Sequence, residues 1–401
     1  MAFDPYRRVL ALPGVRALWV LMLLARLPVA AGGVVLTLYV VLGLDRGYGA
    51  AGLVGAACTV GGSIGSPLMG RLVDRRGLRT MLMLCTASEL AFWFSTPWLP
   101  YPALLASSLL TGVVMLPVFA VARQALAALV PVEQRRTAFS MDSISVEVSF
   151  AVGPAAGVLV ATMVSPTAAV LATGAAVVAA GTALYVLNPP VRSEAELLEP
   201  GEVPPRQAWL TPALLGVLLV SCGATLVLSG TDVALVATLR EAGQVPLTGA
   251  VIAAWCLASA VGGFVHGAVR RSLPPVVLLG LLGLFTLPLG VAGGWWTLAL
   301  ALLPAGSLCA PTVASTGEAI SRLAPAAVRG EAMGLQGSAL TLGAALGAPL
   351  AGVVIDRSSP AWGFGAAGCG GLLFAALGGL ALRRSRPDPA VDEPQSYAAA
   401  G

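Results

Sequence analysis

The sequence is poor in charge. Only 10% of its 401 residues are Asp, Glu, Lys or Arg, against about 25% in an ordinary soluble domain. Lysine is absent, so all 23 basic residues are arginine, and there is a single asparagine, Asn188, and a single histidine, His266. A soluble fold of this length could not solvate so apolar a surface, which leaves the lipid bilayer as its medium. One histidine cannot build a His-based metal centre. The six cysteines (Cys58, Cys85, Cys222, Cys256, Cys309 and Cys369) stand alone in separate apolar runs, with no Cys-x-x-Cys pair, and read as buried thiols. No cofactor is expected. Neither a P-loop nor a nucleic-acid-binding pattern occurs. The arginine-only usage, with abundant alanine and glycine, reads as the codon bias of a GC-rich genome.

What is present is hydrophobicity: 57% of residues are apolar and the mean hydropathy is +0.87. A spanning helix needs about 20 apolar residues. Breaking the apolar runs at charged or Pro/Gly-rich turns gives twelve spans, at 15–43, 49–70, 79–98, 101–130, 138–163, 167–188, 210–239, 247–269, 274–293, 295–322, 328–355 and 361–382. Arg7, Arg8 and Arg16 precede the first run, which at 17–44 is too long for a signal-peptide core. With the N-terminus in the cytoplasm, 18 arginines fall in cytoplasmic segments and only Arg46, Arg240 and Arg357 in outer loops, while Arg26 and Arg123 lie inside spans. The positive-inside rule thus predicts an even span count with both termini cytoplasmic. The expected location is the inner (plasma) membrane.

A Pro- and Glu-rich segment around 188–206 divides the chain almost equally and reads as a solvated linker. The halves echo one another: Leu129-Val-Pro131-Val-Glu-Gln-Arg135-Arg-Thr-Ala138 matches Leu323-Ala-Pro325-Ala-Ala-Val-Arg329-Gly-Glu-Ala332 at an offset of 194, which also carries Gly153 onto Gly347. Parallel six-span repeats suit alternating access, in which two similar bundles rock about a midplane site. The expected organisation is an all-α membrane protein with a six-helix bundle at 1–188, a cytoplasmic linker at 189–209, a second six-helix bundle at 210–382 and a disordered tail at 383–401.

After span two comes Gly70-Arg-Leu72-Val-Asp74-Arg75-Arg76-Gly77-Leu-Arg79. This resembles the loop 2–3 signature of the major facilitator superfamily, with Gly70, Asp74, Arg75, Gly77 and Arg79 in register, and the twelve-span plan extends the resemblance over nearly the whole chain. Independently, the glycines permit a tight turn and close helix approach, and Asp74 suits a helix N-terminus. The resemblance implies that this helix is span eleven and that the contact locks the cytoplasmic side; the alternative is a solvated loop serving topology. The second-half counterpart, His266-Gly267-Ala-Val-Arg270-Arg271, keeps glycine and arginine but has no acid. In span five, Gly153-Pro154-Ala-Ala-Gly157 resembles the Gly-Pro-x-x-Gly motif of the family's exporter (drug–proton antiporter) branch. Val158 and Ser149 depart from that pattern, and generic close packing of small residues is the alternative. Arg26 and Arg123 also resemble family positions, the latter the basic residue of the fourth helix.

Ionisable groups at membrane depth cost at least about 2.5–3.5 kcal/mol each. The candidates are Arg26, Glu89, Arg123, Asp142, Glu147, Asp232 and Glu318. By resemblance spans one, four and five adjoin, so Arg26 and Arg123 would face Asp142 and Glu147. One reading has Glu147 titrating during transport with Arg26 as its counter-charge; the other is a permanent salt-bridge network aligning helices. Asp232 and Glu318 are second-choice contacts for a cation or proton, Glu89 is the weakest, and Asp142 could simply cap polar groups near the start of span five. Gly61-Gly-Ser63-Ile-Gly65 spells a nucleophile elbow and Gly363-Phe-Gly365-Ala-Ala-Gly368 a dinucleotide fingerprint, but both lie inside apolar spans, where neither chemistry has its context.

Three function classes follow. The leading one is a proton-coupled secondary exporter of a small organic molecule, working as a monomer in the bilayer. The second is an importer or uniporter of a polar nutrient on the same fold, and the third a membrane-integral enzyme or receptor.

Overall fold

The computed structural model describes residues 3–193, 196, 204–269, 272–292 and 294–384, and every regular element among them is helical. Ten helices are long and apolar enough to cross a membrane. Leu78–Ser95 and the shorter Pro275–Val291 complete the twelve. In order, spans one to six begin at Val15, Tyr48, Leu78, Tyr101, Arg135 and Pro166, and spans seven to twelve at Pro212, Thr248, Pro275, Trp295, Arg329 and Pro360. Local chemistry sets these starts. Ser165 and Thr211 cap spans six and seven by accepting the N–H of Ala168 and Leu214, with proline at the first helical position of each, where its missing N–H costs nothing. Span six ends on Asn188 in the left-handed region, just before two prolines.

Three features depart from the sequence expectation. An amphipathic helix, Asp4–Ala11, precedes span one. Span four is two helices, Tyr101–Val113 and Val118–Leu129, because Pro117 brings no N–H to the ladder. The Leu116 N–H exposed at that break is taken by the Glu89 carboxylate at 3.3 Å, which also accepts from the Trp93 indole at 2.8 Å. Glu89 therefore mends the break in span four. Thirdly, described parts of the linker are packed: Pro189 and Trp209 are buried. Of the disordered tail expected at 383–401, Arg383 ends the last helix and 385–401 lie outside the described residues, as do 194, 195 and 197–203 of the linker and Arg270 and Arg271.

The helices pair identically in the two halves. Span one packs on five, two on four and three on six; seven packs on eleven, eight on ten and nine on twelve. The repeated segments occupy equivalent corners, each a 3-10 turn (Val132–Gln134, Ala326–Val328) leading into the next span. The halves meet along two seams, span two with eleven and span five with eight.

One face of the molecule, here the linker face, carries helix Asp4–Ala11, the turn at Gly77, the linker and the end of span twelve. Both seams are tight at this face. An apolar cluster of Ala127, Phe139, Trp209, Leu214, Ile320, Val328 and Met333 seals the halves together there. At the opposite, far face the halves part. Gly49, Gly52 and Gly55 of span two, Gly249 of span eight and Gly352 of span eleven have no neighbour where a Cβ would sit, and spans one and seven make no extensive contact. The structure is thus shut at the linker face and open at the far face.

Candidate functional site

The span two–eleven seam is built on Gly70, Asp74 and the first turn of span eleven. A Cβ on Gly70 would collide with the Gly330 backbone, so only glycine lets the two helices cross here. That approach sets Asp74 at the N-terminus of span eleven, where its carboxylate accepts the N–H of Gly330 at 2.9 Å and of Glu331 at 2.8 Å. These N–H groups have no partner within their own helix, and the helix dipole favours an anion. Gln124 of span four donates to the same carboxylate at 3.2 Å. Beside it, buried Glu331 accepts from Arg71 and from Arg206 of the linker, both at 2.6 Å. Arg192 reaches the Asp74 carbonyl at 3.1 Å, and Glu196 pairs with Arg329 at 2.6 Å. The linker is therefore bound to both halves. Gly77 turns the chain at φ +85°, Arg79 lies over the Tyr185 ring, and Arg75 lines a cavity of about 530 Å³ with Arg71, Arg206 and Trp209.

Deeper in the first half, Arg26, Arg123 and Asp142 form a triad. Arg26, with no exposed surface, donates to the Asp142 carboxylate at 2.5 Å and to Ser145 Oγ at 2.6 Å. Arg123 Nε lies 3.5 Å from the other Asp142 oxygen. The Phe119 ring stacks on Phe150 and sits under the Arg26 guanidinium. The expected pairing of Arg26 with Glu147 is not formed. Asp142 and Glu147 are five residues apart, about 140° around a helix, so an arginine on span one reaches only the first. Asp142 is accordingly the hub of the triad rather than a cap near the start of span five.

Glu147 faces the other way, across the span five–eight seam, where Ser259 Oγ donates to it at 2.8 Å. Ser259 also accepts the Ala310 N–H of span ten at 3.2 Å. Asp232, exposed on span seven, is within electrostatic reach of Glu147. Among the described residues neither carboxylate has an ion pair. Glu318, the remaining acid, pairs with Arg322 one turn along its own helix at 2.7 Å, near the linker face, because the i,i+4 spacing places them side by side. Gly153 and Gly157 lie against the Leu27–Val35 stretch of span one, the former on the Leu27 carbonyl, with Pro154 inside the helix between them.

Sequence reasoning missed Glu331, Arg71, Arg206, Gln124, Ser259 and Gln336. A glutamate in the first turn of a predicted span, and two glutamines inside apolar spans, were the available signals.

The major facilitator superfamily profile matches residues 18–271 and 217–399. The chain belongs to the major facilitator superfamily. Among solved structures, this major facilitator chain resembles the human organic anion transporter MFSD10 (TETRAN), at 19% identity and TM-score 0.65, covering 95% of this chain and 99% of that one. A bacterial homologue of the iron transporter ferroportin, in an outward-facing state, matches at 15% identity and TM-score 0.76 over 92% and 99% of the two chains. The proton:xylose symporter XylE matches at 12% identity and TM-score 0.70, over 92% and 96%. At such identities the likeness shows the fold. No curated protein matches the sequence significantly. Family and fold together make this a multi-pass membrane transporter of small molecules, and not an enzyme.

Proposed function

We propose that this transporter exports a small organic molecule in exchange for protons, by alternating access, as a monomer in the plasma membrane with its linker face and both termini in the cytoplasm. In that orientation, supported by the arginine bias, the structure is outward-facing.

The observation that carries the proton reading is Glu147. Among the described residues its carboxylate has no ion pair, its hydrogen bond runs between the halves to Ser259, and Asp232 of span seven lies within electrostatic reach of it. Enclosure without a counter-charge favours the neutral acid and contact with water favours the anion. Parting spans five and eight would therefore tie proton exchange to conformation. The Arg26–Asp142–Arg123 triad, by contrast, is an ion-paired group of buried charges. Export is supported by Gly153, Pro154 and Gly157, which resemble the exporter motif and pack against span one. Cargo does not follow from the fold, since an organic anion, iron and xylose are named for three of its structural neighbours.

The test is accumulation of a panel of fluorescent organic molecules in cells with and without the protein. Export lowers accumulation; a proton uncoupler, and separately Glu147→Gln, should abolish the difference. Raised accumulation would favour the importer reading, and a difference that survives the uncoupler would remove proton coupling.

A further inference from the structure

Among the described residues, one hydrogen bond ties the triad of the first half to span eleven, and it passes through a residue with no charge. Gln336 lies on span eleven with no exposed surface. Its side-chain oxygen accepts from Arg123 Nη1 at 3.2 Å and its amide nitrogen donates to Thr316 Oγ1 of span ten at 3.0 Å. Chemistry fixes this orientation: a guanidinium can only donate, and the Thr316 hydroxyl already donates to the Val313 carbonyl. Arg123 meanwhile stands 3.5 Å from Asp142 Oδ2, and that buried oxygen has no hydrogen bond among the described residues. That oxygen is thus held only by the longer ion pair to Arg123, while Oδ1 takes the short one to Arg26.

We propose that Gln336 is a positioning residue: while the linker face is shut it holds Arg123 half off Asp142, coupling the triad to the seam. Span eleven is wedged into the first half from two sides. Gly330, Gly334 and Ser338 meet span two, and Gln336, on the opposite side of the helix, meets span four. Alternating access requires span eleven to leave both. The Arg123–Gln336 bond then breaks, and Arg123 closes on Asp142 Oδ2. The triad has one arrangement for each state, so its hydrogen bonding biases the equilibrium between them. This rests on the transporter fold and not on proton coupling or export.

The test is amide hydrogen exchange of the full-length protein in lipid nanodiscs, read over 328–338 and 64–77, where exchange reports seam opening. Gln336→Met keeps the volume but loses both bonds; exchange should rise about tenfold. Gln336→Glu offers Arg123 a charged partner across the shut seam; exchange should fall severalfold and turnover slow with it. Mere disturbance of packing would raise exchange in both variants, so like-signed changes, or no change, overturn the proposal. In an Arg123→Met background Gln336→Met should be nearly silent, and a full effect there also overturns it. Should Gln336→Glu not fold, Thr316→Val, which frees the Gln336 amide, should move exchange the same way as Gln336→Met by about threefold; wild-type exchange in that variant would count against the proposal.

Discussion

The two seams that shut the linker face occupy equivalent places in the two halves, yet they are made of different materials. Span two meets span eleven through backbone and charge: Gly70 on Gly330, Asp74 on two helix-end N–H groups, and Glu331 between Arg71 and Arg206. Span five, with the helix Asp4–Ala11, meets span eight mainly through side chains. Thr137 donates to the Gly267 carbonyl at 2.7 Å, Tyr6 stacks on Phe264 and donates to its carbonyl, and Ser259 meets Glu147. Pseudo-symmetry thus dictates where the halves touch but not how. A seam of backbone contacts and oriented charges is rigid and specific, whereas side chains can yield, so opening should be controlled at the first seam and accommodated at the second.

The sharpest way to break the comparison is a single methyl group. At Gly70 it would collide with the Gly330 backbone, which cannot move aside without parting the helices. Overpacking of this kind costs about 1–3 kcal/mol, so Gly70→Ala should speed exchange over 328–338 by tenfold or more and depress transport comparably. At Gly267 the same methyl meets the Tyr6 hydroxyl and Ser140 Cβ, both on side chains. Gly267→Ala should stay within about threefold of wild type. Equal effects would erase the distinction between the seams.

Charge comes next. Asp74→Asn keeps an oxygen near Gly330 but loses the anion at the helix end. Hydrogen bonds to a charged acceptor are worth about 1.5–3 kcal/mol against about 1 for neutral ones. Exchange at the first seam should rise about tenfold, while Ser259→Ala at the second should change it about threefold. The same exchange measurement reads both.

How far this contrast could be read from sequence depends on what each contact is made of. Most span ends came through to within about three residues, because a run of apolar residues long enough to cross a bilayer has few alternatives; span two is the exception, running past its expected end at 70 to Arg76, so that Gly70 and Asp74 lie in its last turns and not in a loop. Asp74 near a helix N-terminus was foreseeable from the 70–79 pattern. The Arg26–Asp142 pair was not, since choosing between Asp142 and Glu147 needs the rotation of span five, and an apolar span with small residues on several sides gives that rotation little signature. The break in span four was hidden for a similar reason: Pro117 is visible, but many spans here carry an interior proline without breaking, and Glu89 supplies what tips this one. Linker packing was obscured by a Pro- and Glu-rich composition that ordinarily means solvation, while Glu196 and Arg206 in fact find Arg329 and Glu331.

Ionic strength separates the seams more gently. Arg206 is 59% exposed and Arg71 31%, and exposed ion pairs contribute about 0–1 kcal/mol. Raising salt from about 0.1 to 1 M shortens the screening length from about 10 to 3 Å. Exchange at the first seam should rise about twofold, and the second should respond less. Glu331→Gln should reduce the salt response.

The smallest effect tests whether the linker belongs to the first seam. Partial burial alone would raise the Glu196 carboxyl, but hydrogen bonds from the Arg329 guanidinium and the Ser193 N–H, with the charge of Arg329, outweigh it and hold the group below its ordinary value of 4.5. A carboxyl depressed in this way stabilises the contact above its ordinary value and loses that contribution as pH falls through the depressed one. Protection of amides 329–333 should therefore be level near neutrality and decline only in the acid range below 4.5, when compared at each pH with Glu196→Gln, which should lie at the low-protection limit throughout. Arg329 lies on span eleven, and Arg192, the residue just before the Ser193–Glu196 turn, lies on Asp74 of span two. A linker that merely tethers the halves would show no such decline, because neither of those ends would then depend on the charge of Glu196.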